Sequence, residues 1–344
     1  MKTINLILQV LLLVYLCNAQ SEIFMKNFSK WQRKYNITYS NPATFQKAFT
    51  HFRINYKSTL RHQLKYYTYR SDFIMRLNKY AEYNKKTFLN GAKFSDGPAT
   101  SLFAEFQEPV GISPKAFNLP VYPTPPPSLD YRNLGYVTPV EDQGYTCSSC
   151  YAFAAACGIE GQVAKKYGKL NSLSSQNILD CSGRYGNGGC LGGSIGISYK
   201  YVLANQGIAN QTVYPYAGNV NTCAYNSSIL AEKILAYTYV SGDENYLKSV
   251  LAAVGPIPVG MKGSLDSFYY YSSGIYDDPN CGGFIDHAVC LVGYGTDNST
   301  NPPRDYWIVK NSWSTDWGEN GYFRLKMGSN ICGIRNYVVY PTIL

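Results

Sequence analysis

The sequence predicts an α+β protein in two units: a small helical one, then a larger one that opens with helix and closes in short strands. Three observations predict it. Residues 24–88 contain no Cys and no Gly, and large apolar side chains recur there at three- and four-residue steps. Gly and Pro then accumulate over 90–128 and disfavour regular structure. Beyond them an almost uncharged helical segment at 150–167 gives way, after about residue 255, to strands separated by Gly, Asn and Pro turns.

In chain order, Met1–Gln20 carries one basic residue, Lys2, an apolar run from Leu6 to Leu16, and the Cys17-Asn18-Ala19 end that suits signal peptidase. Residues 1–19 are therefore expected to form a secretory leader. An apolar run that short falls below the roughly 20 residues that span a bilayer, and no later segment comes closer, so no membrane span is expected. Export permits disulfides and makes Asn27, Asn36, Asn210, Asn226 and Asn298, each in an Asn-X-Ser/Thr site, candidate glycan acceptors. In the helical unit, assigned to 20–95, the periodic residues are Trp31, Phe45, Phe49, Phe52, Tyr56 and Leu60. Residues 96–127, ending in Pro123, Pro125, Pro126 and Pro127, read as a cleavable connector. The second unit is assigned to 128–344. Its first long helix is expected over Cys150–Tyr167, with Lys165 and Lys166 in the last turn and Gly168 as C-cap. Its strands are expected at Ile257–Met261, His287–Val292, Tyr306–Lys310, Tyr322–Lys326 and Tyr337–Tyr340.

The 344 residues hold 31 Lys+Arg and 22 Asp+Glu, a net charge of +9. The balance is uneven: residues 1–125 carry 17 basic and 6 acidic side chains, and residues 126–344 carry 14 and 16. The basic character thus belongs to the first unit, which removes the argument for a nucleic-acid partner. With 33 Tyr and only 15% charged residues, the composition also excludes a disordered chain.

Ten Cys are present, and nine remain without Cys17, so at least one thiol is left over. Cys150, in Gln143-Gly-Tyr-Thr-Cys147-Ser-Ser-Cys150-Tyr151, opens the apolar helix, whose N-terminal amides would favour a thiolate. Such a nucleophile needs a proton partner. The chain has three His, and two of them, His51 and His62, sit in the basic first unit. His287, at the start of a strand, is the partner left for Cys150. Asn311, in Lys310-Asn311-Ser-Trp313, would accept the imidazole N–H, and Trp313 would screen that bond from water. Alone, Cys147-x-x-Cys150 fits a redox pair or half of a zinc site equally well. The first needs a βαβ setting and the second another close Cys or His pair; neither is evident, so no metal and no cofactor is expected.

These residues resemble papain-family cysteine protease precursors, in the layout of the cathepsin L-like branch, across essentially the whole chain. His287 follows Cys150 by 137 positions and Asn311 by 161, near the family's spacing. Ser128-Leu-Asp-Tyr-Arg132, Gly189-Cys-Leu-Gly-Gly193 and Asn311-Ser-Trp-Ser-Thr-Asp-Trp-Gly-Glu-Asn-Gly321 are further similar blocks. The resemblance implies a papain-like two-lobed fold, helical left lobe and β-barrel-like right lobe, behind a small helical inhibitory prodomain. It implies Cys150 as nucleophile, His287 as base and then acid, Asn311 as its orienting group, and the Cys150 N–H with the Gln143 amide as oxyanion donors. It pairs Cys147 with Cys190, Cys181 with Cys223 and Cys281 with Cys332, leaving Cys157 and Cys290 as buried thiols. It maps the pocket for the substrate's P2 side chain to Ser194, Ile195, Gly260, Ala288 and Tyr337, with Gly192 and Gly193 offering backbone to an extended peptide and Trp313 beside them.

Phe52-Arg-Ile-Asn55 and Asn78-Lys-Tyr80-Ala-Glu82 echo the family's prodomain signatures, while Thr44, Ala48, Thr59 and Gln63 depart from them. Residues near Phe88–Phe94 would lie through the cleft. Three departures fall at the centre: one extra residue between Gln143 and Cys150, which must bulge, Ser148 for the usual Gly, and Tyr151 for the commoner Trp. The function expected is a zymogen of a secreted or lysosomal cysteine endopeptidase with an apolar P2 preference. Its expected partners are polypeptide substrates, its own prodomain and cystatin-like inhibitors, and it is expected to be a monomer. The competing expectation is a papain-like protein that has lost activity and serves as a secreted binding protein.

Overall fold

A computed structural model of the protein describes residues 21–83 and 124–343. The leader, the Phe88–Phe94 segment and nearly all of the connector lie outside the described residues. The first unit is two helices, α1 over 21–35 and α2 over Pro42–Tyr67. Asn41 starts α2 by accepting the Ala43 N–H at 2.7 Å, and Pro42 occupies a first-turn position where its missing donor costs nothing. The predicted stripe sorts by depth. Trp31, Phe49 and Phe52 are buried around Phe28, Phe45 and Tyr56 pack at the margin, and Leu60 faces solvent. The departing residue Gln63 donates to the Met75 carbonyl at 2.9 Å, and Asn55 donates to the carbonyls of Ala81 and Tyr83, so α2 holds the extended segment that follows it.

That segment contains β1, Phe73–Met75, which pairs antiparallel with β7, Tyr271–Tyr276, of the second unit. The first unit is thereby an edge of the second unit's sheet. The second unit has a helical lobe built on α3 (Cys150–Tyr167), α4 (Ser175–Cys181) and α5 (Ile195–Ala204). Residues Tyr151 to Ala164 of α3 are all buried, and Gly168 closes the helix at φ +67°, where a left-handed C-cap suits glycine.

The strand lobe is formed by β2 (Leu129–Asp130), β5 (Ile234–Tyr239), β6 (Ile257–Met261), β7, β8 (His287–Asp297), β9 (Arg304–Lys310), β10 (Tyr322–Lys326) and β11 (Tyr337–Ile343). Their order is β1-β7-β10-β9-β8-β6-β11-β5, with β2 beside β8. All neighbours are antiparallel except β7 and β10, and Ile257, Val259, Leu291, Trp307 and Phe323 fill the lobe's core. Strand structure begins earlier than residue 255: a short pair, β3 (Ile208–Ala209) with β4 (Leu230–Glu232), and β5 precede a helix α6 over Glu244–Val254. The C-terminal strand β11 draws β5 across the lobe boundary. No described helix is long and apolar enough to cross a membrane.

Cys147 is bonded to Cys190, Cys181 to Cys223 and Cys281 to Cys332. The expectation of two buried thiols at Cys157 and Cys290 is corrected: they form a fourth disulfide between α3 and β8. Their Cα atoms lie 6.5 Å apart and both residues are buried at the lobe boundary, within the reach of a disulfide. Separated by 133 positions, the pair carries no local signal. Cys150 is the free cysteine among the described residues.

Candidate active site

Cys150 is the first residue of α3 and is half-buried. The loop before it is tied down by the Cys147–Cys190 bridge and by the Ser148 N–H, which donates to the Cys190 carbonyl at 3.0 Å. Backbone groups of Ala288 and Tyr151 hydrogen-bond the Cys150 sulfur. These bonds favour a thiolate, yet burial outweighs them and pushes the thiol up to about 11. The helix terminus alone does not ionise the sulfur in this closed precursor.

His287 opens β8 and is buried. Its Nε2 lies 2.8 Å from Asn311 Oδ1. That oxygen also accepts the Ser312 N–H at 2.8 Å, which fixes the amide's orientation. Nε2 must therefore carry the hydrogen, and Nδ1 is left as the basic nitrogen. The Trp313 ring stacks on the imidazole at 4.7 Å and 29°, and Phe268 stands beside it at 6.2 Å. Burial among these rings lowers the imidazole to about 4, while the Asn311 bond pulls the other way. Burial thus pushes both Cys150 and His287 toward their neutral forms.

Gln143 is clamped despite the extra residue after it. Its N–H donates to the Ser312 carbonyl at 2.8 Å, and its Oε1 accepts the Ser312 hydroxyl at 2.6 Å. The longer loop turns at Gly144, whose φ of +73° is open to glycine. Gln143 Nε2 donates to the Cys147 carbonyl at 3.2 Å.

The second group of predicted residues lies across three strands. Ala288 pairs with Gly260 and Gly260 with Tyr337, so antiparallel register sets the three in one row. The Tyr337 hydroxyl hydrogen-bonds Ser194 Oγ at 2.7 Å and accepts the Gly196 N–H at 3.0 Å, drawing in the start of α5 with Ile195. A Cβ on Gly260 would meet Ile285 at 2.7 Å, so the row has no room for a side chain there. Gly192, at φ +119°, has open space around it, whereas a Cβ on Gly193 would stand 2.5 Å from Asn187 Oδ1. Ala288 belongs to both groups, being next to His287 and bonded to Cys150.

Sequence reasoning missed Ser312, which joins Gln143 to Asn311, and Tyr216, whose hydroxyl donates to the Gln143 carbonyl at 2.9 Å and bonds Ser149 at 2.6 Å. It also missed a buried chain beneath the site, in which Lys310 and Glu160 meet at the Thr138 hydroxyl, 2.8 and 2.7 Å away. No motif marks the long-range contacts among these, Ser149 to Tyr216 across 67 positions and Thr138 to Lys310 across 172.

The first unit packs on the loop that carries Gln143. Lys79 forms an ion pair with Asp142, the Tyr80 hydroxyl donates to Asp142 at 2.9 Å, and the Tyr83 ring stacks on Tyr145 at 4.1 Å. Asn78 donates to the Tyr269 carbonyl at 2.8 Å, and Asp72 pairs with Arg304.

A two-lobed α+β fold with Cys, His and Asn gathered at the lobe boundary, capped by a helical N-terminal unit, is the architecture of papain-like peptidase precursors. The model of the papain family of cysteine proteases matches residues 125–342. The chain belongs to that family. It is 36% identical to procathepsin L of Felis catus over 92% of both chains, and 34% identical to cathepsin L of Sarcophaga peregrina over 98% of this chain and 99% of that one. Among solved structures it is similar to digestive procathepsin L 3 of the Tenebrio molitor larval midgut, with a TM-score of 0.80 and 32% identity over 93% of this chain and 99% of that one. The likeness is to proform structures, and the N-terminal helical region is a prodomain of the same kind.

Proposed function

We propose that the protein is the zymogen of a cysteine endopeptidase in which Cys150 and His287 perform acyl transfer. The observation that carries this is His287, held through Nε2 by Asn311 under the Trp313 ring, on the strand whose next residue hydrogen-bonds the Cys150 sulfur. In the mature enzyme Nδ1 of His287 would take the thiol proton, and the sulfur would attack the scissile carbonyl. The imidazolium would then protonate the leaving amine, and water would release the acyl group from Cys150. The Cys150 N–H and the Gln143 amide would meet the oxyanion once that amide leaves the Cys147 carbonyl. The neutral pair of the precursor would be its resting form, with activation requiring the site to open to water.

The row of Ala288, Gly260 and Tyr337, with Ser194 and Ile195, supports an apolar P2 pocket shortened by an aromatic floor, and hence aliphatic P2 residues. A library profile led by basic P2 residues would sink that preference. Passage through the secretory pathway, to a lysosome-like compartment or outside the cell, rests on the leader. Asn36, Asn226 and Asn298, exposed where Asn27 and Asn210 are half-buried, are the better glycan acceptors. The bond from Gln143 to Cys147 favours a second reading, a family member whose oxyanion site is closed and which binds without cutting. An epoxide affinity reagent applied after acid activation separates the two, because only the peptidase labels Cys150 stoichiometrically.

A further inference from the structure

The Cys157–Cys290 bridge joins the two elements that carry the nucleophile and the base. Cys157 lies seven residues after Cys150 on α3, two helical turns along and therefore on the same face. Cys290 lies two residues after Ala288 on β8, again on the same face. The helix and strand thus meet at two levels. At the cleft, the Ala288 backbone hydrogen-bonds the Cys150 sulfur, and behind it the disulfide closes the gap covalently.

Packing holds α3 more tightly toward β6 than toward β8. Toward β6, α3 is seated by glycines: a Cβ on Gly158 would be 2.6 Å from Pro258 and one on Gly161 2.3 Å from Pro256. Toward β8 it presents Ala154 and Cys157, and a cavity of about 20 Å³ remains between them and Ala288 and Cys290, with Glu141 and Lys310 at its sides. A gap of that size, room for one water, means that small side chains define the α3–β8 depth less closely on this side. A disulfide fixes the Cα separation within narrow limits.

We propose that Cys157 and Cys290 are positioning residues: their bridge sets the placement of the Cys150 helix against the His287 strand and so the geometry of the reacting pair. The inference rests on the peptidase reading above. Both cysteines are buried, so the bridge should resist the low thiol concentrations that keep Cys150 reduced and open only at higher ones.

Non-reducing peptide mapping of the acid-activated full chain should recover Cys157 and Cys290 in one cross-linked pair of peptides; recovery as two free thiols overturns the proposal. Cys157→Ala/Cys290→Ala, and the volume-filling Cys157→Val/Cys290→Ala, should lower kcat about ten- to hundredfold with KM within about threefold, the signature of a misplaced rather than an unbound reaction partner. A kcat within about twofold of wild type, whatever the change in melting temperature, reduces the bridge to a structural staple and overturns the proposal. Wild-type protein supplies an arm that needs no variant. In a dithiothreitol titration, epoxide labelling at Cys150 should slow in step with loss of the cross-linked peptide, and an unchanged rate as the bridge disappears is again contrary. Wild type that never labels sinks the peptidase reading itself, whereas labelled wild type with an indifferent variant sinks only the role of the bridge.

Discussion

Asn311 Oδ1 decides the tautomer of His287, because it already accepts a backbone N–H and has nothing to donate. Asn311→Ala would free the ring to turn, and the loss of one hydrogen bond of about 1 kcal/mol or more corresponds to a kcat lowered about tenfold, with KM little changed. Gln143→Ala removes the proposed oxyanion donor and should lower kcat by about a hundredfold or more; an unchanged kcat would mean that the amide never leaves Cys147. In the precursor the thiol stands at about 11 because it is buried. Alkylation of Cys150 by iodoacetamide should then be slow at pH 6 and climb as pH rises toward that value, with the mature enzyme reacting far faster at pH 6. Equal rates for the two forms at pH 6 would contradict the burial argument.

At the level of elements, the prodomain contributes an edge strand and an aromatic hand to the peptidase domain. Tyr83 stacks on Tyr145, in the loop between Gln143 and Cys150, and such a ring pair contributes about 1 kcal/mol beyond its area. Tyr83→Ala should therefore weaken inhibition in trans by the free prodomain about fivefold, measured as its inhibition constant against mature enzyme. Much of this layer was legible in advance. The helix Cys150–Tyr167 and the strands Ile257–Met261 and Tyr322–Lys326 begin and end where caps, charge and turn residues place them. The contacts of Asn311 and Trp313 with His287 were legible, because one short motif carries both residues. Pairings made only in three dimensions were not: the strand from Phe73 to Met75 on Tyr271–Tyr276, the Ser312 clamp on Gln143, and the Cys157–Cys290 bridge each join segments whose local patterns say nothing about the partner.

Across the whole molecule, the charge split between units does not translate into a one-way grip. The described ion pairs between the units run in both senses, Lys79 to Asp142 and Arg304 to Asp72, and beside them stand the Tyr80–Asp142 hydrogen bond, the Tyr83–Tyr145 stack and the β1–β7 pairing. Exposed pairs of this kind contribute under about 1 kcal/mol and are screened by salt, so prodomain affinity should fall only modestly between low and high salt. The response to acid has a clearer source. His62, packed behind Phe73, faces Asp278 and Lys65, with its Nε2 bonded to Ser71 Oγ and the Phe73 carbonyl. Burial holds it below its ordinary 6.5. The folded precursor therefore binds this proton less readily than the unfolded chain, although Asp278 pulls the other way, and stability present above about pH 6.5 is lost as pH falls below it. His287, lowered to about 4 by burial, adds to the loss of precursor stability over the same descent. Glu141, raised to about 7 by burial, opposes it by favouring the protonated folded form. His62→Gln should flatten the pH dependence of precursor stability between pH 6.5 and 4.5, read from melting temperatures across that range.

The central claim is that Cys150 becomes a nucleophile served by His287 once the prodomain is released. Mass spectrometry of the full chain, activated at pH 4 to 5 and treated with an epoxide affinity reagent, tests it most directly. The predicted result is one label per chain, on Cys150, abolished in Cys150→Ser and absent from the unprocessed precursor at neutral pH. A processed, folded domain that takes up no label, or takes it up elsewhere than Cys150, would contradict it.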